Sequence, residues 1–454
     1  MRAPNSIAYQ MAEWIVSLRR SAVPATVREA AQRATLDTLG VMIAGGATAL
    51  GQTATRMACA RYSSGHATVL TCQQPLNALG AAFANGVAAH ALDFDDNSYA
   101  GFVHASAVIV PAALAVSQEQ NLNGSDYLLS YIAGAECEFA LAASMGNAPY
   151  ERGWWTTSLF GATGACAAAC HALRLDVDAT ASALGLAAVA SAGTKAGFGS
   201  DAKPILVGRT AEMGVMYALL ARDGVQGPAY AIEAANGLAA LVGGEMFDSE
   251  PFAALGTVWQ LLHPGIDAKR IPVCLSSHAA VDSLKELIAE AQSADAITHI
   301  VCDVPPIVVK NLMYSQPENA QQAQFSMNFA LAAILVHGDL DVSLLDAATV
   351  MSAAMQTAMR RVEMTSSPRW DDPALRRSAP EGAWVRVFFA DGTHIERFRA
   401  MPKGSAADPM STAEIEAKFL GCSTPVLGAG ASSKLLAAVN GLDQLQSLRR
   451  LFSD

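Results

Sequence analysis

The chain has 454 residues, 52% hydrophobic and 16% charged, and its 30 basic and 41 acidic side chains give a net charge of −11. This balance excludes a long disordered protein, which needs low hydrophobicity and high charge. It also argues against a nucleic-acid binder, because no Lys/Arg cluster is present to neutralise phosphates.

The length suggests two or three domains, or one large domain with an appendage. The N-terminal residues lack the continuous apolar core of a signal peptide. The most apolar stretches are interrupted by polar residues or by Pro111, so no clean membrane span is expected. None of the eight cysteines forms a Cys-x-x-Cys pair, so a zinc site is not expected, and the thiols read as reduced and mostly buried in a cytoplasmic protein.

The first part reads as helix after helix. Ile7, Met11, Trp14, Ile15 and Leu18 share one helical face, with Asn5 or Ser6 as cap. After Pro24 a second helix runs to Gly45-Gly46. Segments 76–92, 105–118, 125–145, 157–174, 178–193 and 209–222 have apolar faces of Ala, Gly and Ser, which let helix axes approach closely. The pattern changes near residue 265. His299 to Pro305 and Val385 to Phe389 are β-like, and Asp391-Gly392 before a third β-like run is a hairpin signal. Asn319 to His337 is expected to be one helix after Pro317. From Ser411 the chain is helical again. The expected architecture is mainly α. Residues 1–265 and 405–454 make a large helical domain, and 266–404 make a smaller α+β domain.

Familiar motifs fail. A calcium loop from Asp93 would need Gly and Glu where Ser98 and His104 stand. Gly428-Ala429-Gly430 lacks the third glycine of a dinucleotide fingerprint, and there is no phosphate loop or Gly-x-Ser-x-Gly elbow. Three constellations remain. His90, Asp93, Asp95, Asp96 and His104 fall within fifteen residues, at the expected C-terminal, negative end of a helix. In isolation they read equally well as a solvated acidic turn. Lys203 stands before Pro204, which suits the first turn of a helix, and a lysine at that positive end makes sense if both face an anion. Lys269, Arg270 and His278 form a basic cluster at the domain boundary, where ligand clefts are favoured.

The segment His90-Ala-Leu-Asp-Phe-Asp-Asp96 followed by His104 resembles the signature of the MmgE/PrpD family. Arg152-Gly-Trp-Trp-Thr-Thr-Ser158, Asp201-Ala-Lys-Pro204, Lys269-x-x-Pro272-x-Cys274-x-x-x-His278 and Ala323-Gln-Phe-Ser326 agree in order and spacing, over about residues 5 to 450. The resemblance implies a helical domain built from both chain ends, an α+β lid, a homodimer, and no metal or organic cofactor. The implied ligand is a small di- or tricarboxylate bound between the domains, while the charge balance and the interrupted apolar stretches point to no nucleic-acid or membrane partner. The family's site positions fall on Asp93, Asn97, His104, Trp155, Lys203 and Tyr314, with His278 at a further polar position. Trp155 and Leu206 stand where the family often has His, and Asn97 where it often has Thr or Ser. The tryptophan implies a less polar pocket.

The family's dehydrations, epimerisations and decarboxylations all develop negative charge beside a carboxylate. A positioned cation in a closed pocket stabilises that charge best. Lys203 is expected in that role, clamping a substrate carboxylate with Lys269 or Arg209. His104 is expected to carry the proton, with Asp93 orienting it, Tyr314 donating a hydrogen bond, and His278 as a second acid or base. The first expectation is a lyase removing water from a 2-methylcitrate-like acid. The alternatives are an epimerase or decarboxylase on a related acid, or a noncatalytic carboxylate-binding member.

Overall fold

The computed structural model describes residues 5–452 apart from 73, 292 and 295. Among the described residues, nine helices of eleven residues or more come before residue 223. They are α1 (Ile7–Ser17), α2 (Ala25–Gly46), α3 (Ala49–Arg61), α4 (Ala78–His90), α5 (Ala105–Glu119), α6 (Gly124–Met145), α7 (Thr156–Leu173), α8 (Val177–Val189) and α9 (Ala202–Arg222). Short polar side chains start several of them. Ser6 accepts a hydrogen bond from the Tyr9 N–H, and Asn77 accepts one from Gly80, each satisfying an orphan donor of the first turn. Between α3 and α4 the body is not helical: Ser64–Ala67 is extended and bridges to Leu76.

Small residues set how closely the helices pack. A Cβ on Gly86 of α4 would lie 2.8 Å from the Gly208 Cα of α9, so the two backbones nearly touch there. From this crossing, His90 lies four residues on along α4 and Lys203 five residues back along α9. At 1.5 Å per residue, one helix end and one helix start arrive side by side. That crossing builds the candidate site.

α6 differs from expectation. It is long and apolar enough to cross a membrane, but 94% of its apolar window is buried inside the protein. Its Glu136 and Glu138 are buried there too, with Glu136 accepting from the Gln260 and Leu261 N–H groups.

The α+β part expected as a lid contains α10 (His278–Ala291) and α11 (Met327–His337), with strands β1 (Ile297–Asp303), β2 (Val362–Thr365), β3 (Ala383–Phe389) and β4 (His394–Arg399). The sheet order is β2-β1-β3-β4, parallel between β1 and β2 and antiparallel elsewhere. The Asp391-Gly392 turn joins β3 to β4, with Gly392 at φ +82°. A separate apolar core forms here, from Ile271 and Leu284 through Phe329 to Val387. The helix expected over 319–337 is broken. Ala320–Ala323 is one turn, and α11 restarts at Met327 with Ser326 as cap. The intervening carbonyls are used elsewhere, Gln324 accepting from the Cys274 N–H and Phe325 from the Tyr314 N–H.

The chain then returns to the body as α12 (Thr412–Leu427) and α13 (Ala429–Asn440). Phe419, Leu435 and Val439 join the same core as α1–α9. Ser411 and Glu414 form a capping box at the start of α12.

Candidate active site

Asp93, Asp95 and Asp96 are each no more than 2% exposed, so the solvated-turn reading does not hold. Leaving α4, the chain turns sharply, with Asp93 at φ +49°, a region Asp tolerates better than most residues. Its carboxylate meets two ammonium groups: Lys203 Nζ is 2.5 Å from Oδ1 and Lys269 Nζ is 3.0 Å from Oδ2. Lys269 also donates to the Asp93 carbonyl at 2.6 Å. Burial alone would raise the Asp93 pKa, but the two lysines overcome it and hold the carboxyl well below its usual range. Lys203 lies inside the first turn of α9, which starts at Ala202, two residues before the start at Pro204 that the sequence suggests, and Asp201 provides no side-chain cap.

The imidazoles lie on the other side of Asp93. His90 Nδ1 is 2.8 Å from both oxygens of Asp95, and its Nε2 is 3.7 Å from Asp93 Oδ1. Burial, aided by the charges on Lys203 and His104, lowers the His90 pKa to about 4 against the pull of Asp95. It therefore donates Nδ1–H to an ionised Asp95 while staying neutral. His104 ends the acidic loop and precedes α5. Its Nδ1 is 2.7 Å from the Asp96 carbonyl oxygen and 3.3 Å from Asp95 Oδ2, and its N–H is held by the Thr157 hydroxyl. A carbonyl can only accept, so Nδ1 carries the proton and Nε2 is left for the pocket. The His104 side chain is 13% exposed, whereas that of His90 is sealed.

Aromatic rings enclose the cluster. Trp155 packs 5.4 Å from His90 and perpendicular to Phe198. Lys203 Nζ lies 5.5 Å from the Trp155 ring centre and 4.8 Å from those of Phe198 and Phe325. Tyr314 comes from the lid and donates to the Phe198 carbonyl at 3.2 Å, above Gly199. A Cβ on Gly199 would meet the Tyr314 hydroxyl at 2.5 Å, and its φ of +76° also favours glycine. Asn97 is buried, with its backbone paired to Asp267 and its Nδ2 unpartnered.

Asp93 does not orient His104 as expected, because its carboxylate is taken by the two lysines and Asp95 with the Asp96 carbonyl holds that ring; two further residues lie outside this group. Arg209 pairs with Glu212, which also accepts from Tyr62, and its side chain is half exposed. Six residues beyond Lys203, it has turned about 120° around the helix. It therefore cannot share a clamp with Lys203. His278 donates Nε2–H to the Val273 carbonyl at 3.1 Å. Burial, then the Lys269 charge, lowers its pKa to about 3, so it orders its own loop as a neutral ring. Sequence reasoning placed His90 and Asp95 near the site but gave them no role. The only signal was the His90–Asp93 spacing, whereas the main partner of His90 is Asp95.

His90, Asp95 and His104 have ligand atoms within 4.8 Å of one another, a spacing that suits a metal. They do not fit one well, because His104 Nδ1 is committed as a donor to the Asp96 carbonyl. The arrangement instead suits proton transfer at His104 Nε2, next to stabilised anionic charge.

Residues 9–249 match the MmgE/PrpD N-terminal domain and residues 271–444 the MmgE/PrpD C-terminal domain. The chain belongs to the MmgE/PrpD family. A cis-aconitate decarboxylase-like protein, oryM, of Aspergillus oryzae (strain ATCC 42149 / RIB 40) is 24% identical over 475 residues, covering 99% of this chain and 97% of its own. Cis-aconitate decarboxylase of Homo sapiens is 26% identical over 456 residues, covering 97% of this chain and 93% of its own. That of Mus musculus is 24% identical over 379 residues, covering 81% and 76%. As an MmgE/PrpD protein, the chain places its charged cluster where the N-terminal domain's helix ends meet Lys269 and Tyr314, both close to or inside the C-terminal domain.

Proposed function

We propose that the protein is a lyase that moves one proton beside a carboxylate of a small di- or tricarboxylate, with decarboxylation of a cis-aconitate-like acid as its reaction. The carrying observation is that His104 reaches the Lys203–Asp93–Lys269 group through Asp95 and His90, with aromatic rings around the Lys203 ammonium. In this reading the C–CO₂⁻ bond breaks and its electron pair passes to carbon, delocalised into the neighbouring unsaturated carboxylate. Protonated His104 delivers its Nε2 proton to that carbon and is recharged from solvent. Lys203 and Lys269 stabilise the extra negative charge.

Dehydration, the first expectation from the sequence, needs a base for carbon and an acid for the leaving hydroxyl. Decarboxylation needs only the acid. With Trp155 at its wall and the His90 and His278 rings committed elsewhere, the pocket supplies one free imidazole among the described residues. The names of the relatives favour the same choice. A homodimer belongs to this proposal, supported by exposed apolar side chains concentrated between residues 189 and 258, among them Leu220, Tyr230 and Leu241.

The test is NMR of cis-aconitate and 2-methylcitrate incubated with the protein in deuterated water. Release of carbon dioxide with one deuterium in the product is expected from cis-aconitate. A new alkene from 2-methylcitrate would restore dehydration. Binding without turnover would assign the chain to the noncatalytic reading.

A further inference from the structure

Lys195 lies in the loop between α8 and α9, and local pairing aims it inward. Trp155 N–H donates to the Gly193 carbonyl, and Lys195 N–H to the Gly153 carbonyl at 2.9 Å, so the loop runs alongside the strand-like segment that carries Trp155. The Lys195 ammonium stands 3.7 Å from the Tyr150 ring centre and 5.7 Å from that of Phe198. Phe198 is also one of the rings around Lys203. Two ammonium groups therefore surround a single phenyl ring.

They differ in their counter-charges. Lys203 and Lys269 share Asp93, and ionised Asp95 lies two residues beyond it, so two cations face two anions. Among the described residues Lys195 has no carboxylate at ion-pair distance. Its hydrogen bond goes to the neutral Asn311 Oδ1 of the lid, at 2.8 Å. Nearby Glu381 is taken by the Tyr99 and Ser276 hydroxyls. Burial, with the charges of Lys310 and Lys203, lowers the Lys195 pKa to about 8, which leaves it mostly cationic at neutral pH. A half-buried cation without an anion is costly unless a ligand supplies one.

We propose that Lys195 binds a second carboxylate of the substrate, so that Lys203 and Lys195 hold two ends of one polycarboxylate and Lys195 sets the preference for that class. This rests on the polycarboxylate reading above. The second carboxylate would take the positions around the ammonium that Asn311 leaves open, near the wall formed by Tyr150 and Phe198. Asn311 also accepts from Tyr150 and donates to Ser276, which fixes its orientation from the lid side. The subsite is therefore complete only with body and lid together.

The experiment is calorimetric titration of the full-length protein with tricarballylate, the saturated analogue of cis-aconitate. Lys195→Met and Lys195→Gln should each raise its Kd about tenfold or more, and Lys195→Arg should recover most of the loss, as for a charge-assisted hydrogen bond. Lys195→Gln keeps a donor for Asn311 without the charge. With an unchanged melting temperature, it separates ligand binding from a mere tie between body and lid, and it also serves if the methionine variant folds poorly. Equal affinity in wild type and Lys195→Gln would overturn the assignment of Lys195 alone. Failure of the wild type to bind tricarballylate would overturn the polycarboxylate reading, and this assignment with it.

Discussion

Asp37 and Asp93 are both buried beside a lysine, the first where α2 meets α12 and the second where α4 meets α9. Asp37 has one ammonium, Lys418 Nζ at 2.7 Å, and burial outweighs that partner, raising its pKa. Asp93 has two ammonium groups, and its pKa falls despite equal burial. Lys418 spends its remaining contacts on the Phe94 carbonyl at 2.9 Å and the Phe94 ring. Lys203 is ringed by aromatic side chains, and of its three donors only one is bonded to Asp93. The same two residue types thus make a closed structural pair in one place and a cationic site with donors to spare in the other. What separates them is the count of cations and whether an imidazole faces the opening.

Substitutions can break that contrast. His104→Gln should lower turnover of the substrate found by NMR about 10²–10⁴-fold, the usual worth of a positioned acid or base. A small loss would move the proton to another group. Lys203→Met should lower turnover about 10²–10³-fold, with the fold kept because Lys269 still faces Asp93. Near-full activity would remove Lys203 from the mechanism. Lys418→Met is the opposite case. It should cost about 3–5 kcal/mol of stability in denaturant titration, as when one partner of a buried pair is lost. Activity per folded molecule should persist, and selective loss of activity would erase the distinction between the two pairs.

The smallest expected effect is one of pH. Burial first, then Asp37 and Asp95, raises the Asp96 pKa to about 8 from 3.8. The folded state then holds a proton that the unfolded chain has released, so stability falls as pH rises towards 8. The buried histidines run the other way, losing stability as pH falls below about 6.5. Between pH 6.5 and 8 the Asp96 effect should therefore show, aided by Glu136 and Asp267, each raised to about 7 by burial. Asp96→Asn should flatten this slope by about 1–2 kcal/mol in pH-dependent melting. An unchanged slope would mean that Asp96 is already ionised at neutral pH.

Much of this was legible in the sequence. Periodicity located most helices of the body, though not α3, and Asp391-Gly392 located the hairpin. The break before Ser326 was not legible, because Ala, Gln and Phe suit a helix and the interruption comes from Cys274 and Tyr314 taking carbonyls across the lid. The acidic cluster and Lys203 stood out as residue types, but their burial depends on Gly86 meeting Gly208, which no local pattern encodes. Arg209 looked equivalent to Lys203 as a nearby cation, and helix geometry turns it away. Lys195 had no signal at all, since its position comes from pairing with the segment before Trp155.

The return of the chain as α12 also governs when the protein can mature during synthesis. Lys418 is more than three hundred residues downstream of the Phe94 carbonyl that it anchors. A ribosome must release more than three hundred further residues before the loop bearing Asp93 and Asp95 gains that anchor. Nascent chains halted before this helix emerges therefore lack the completed pocket, however well their first nine helices have packed.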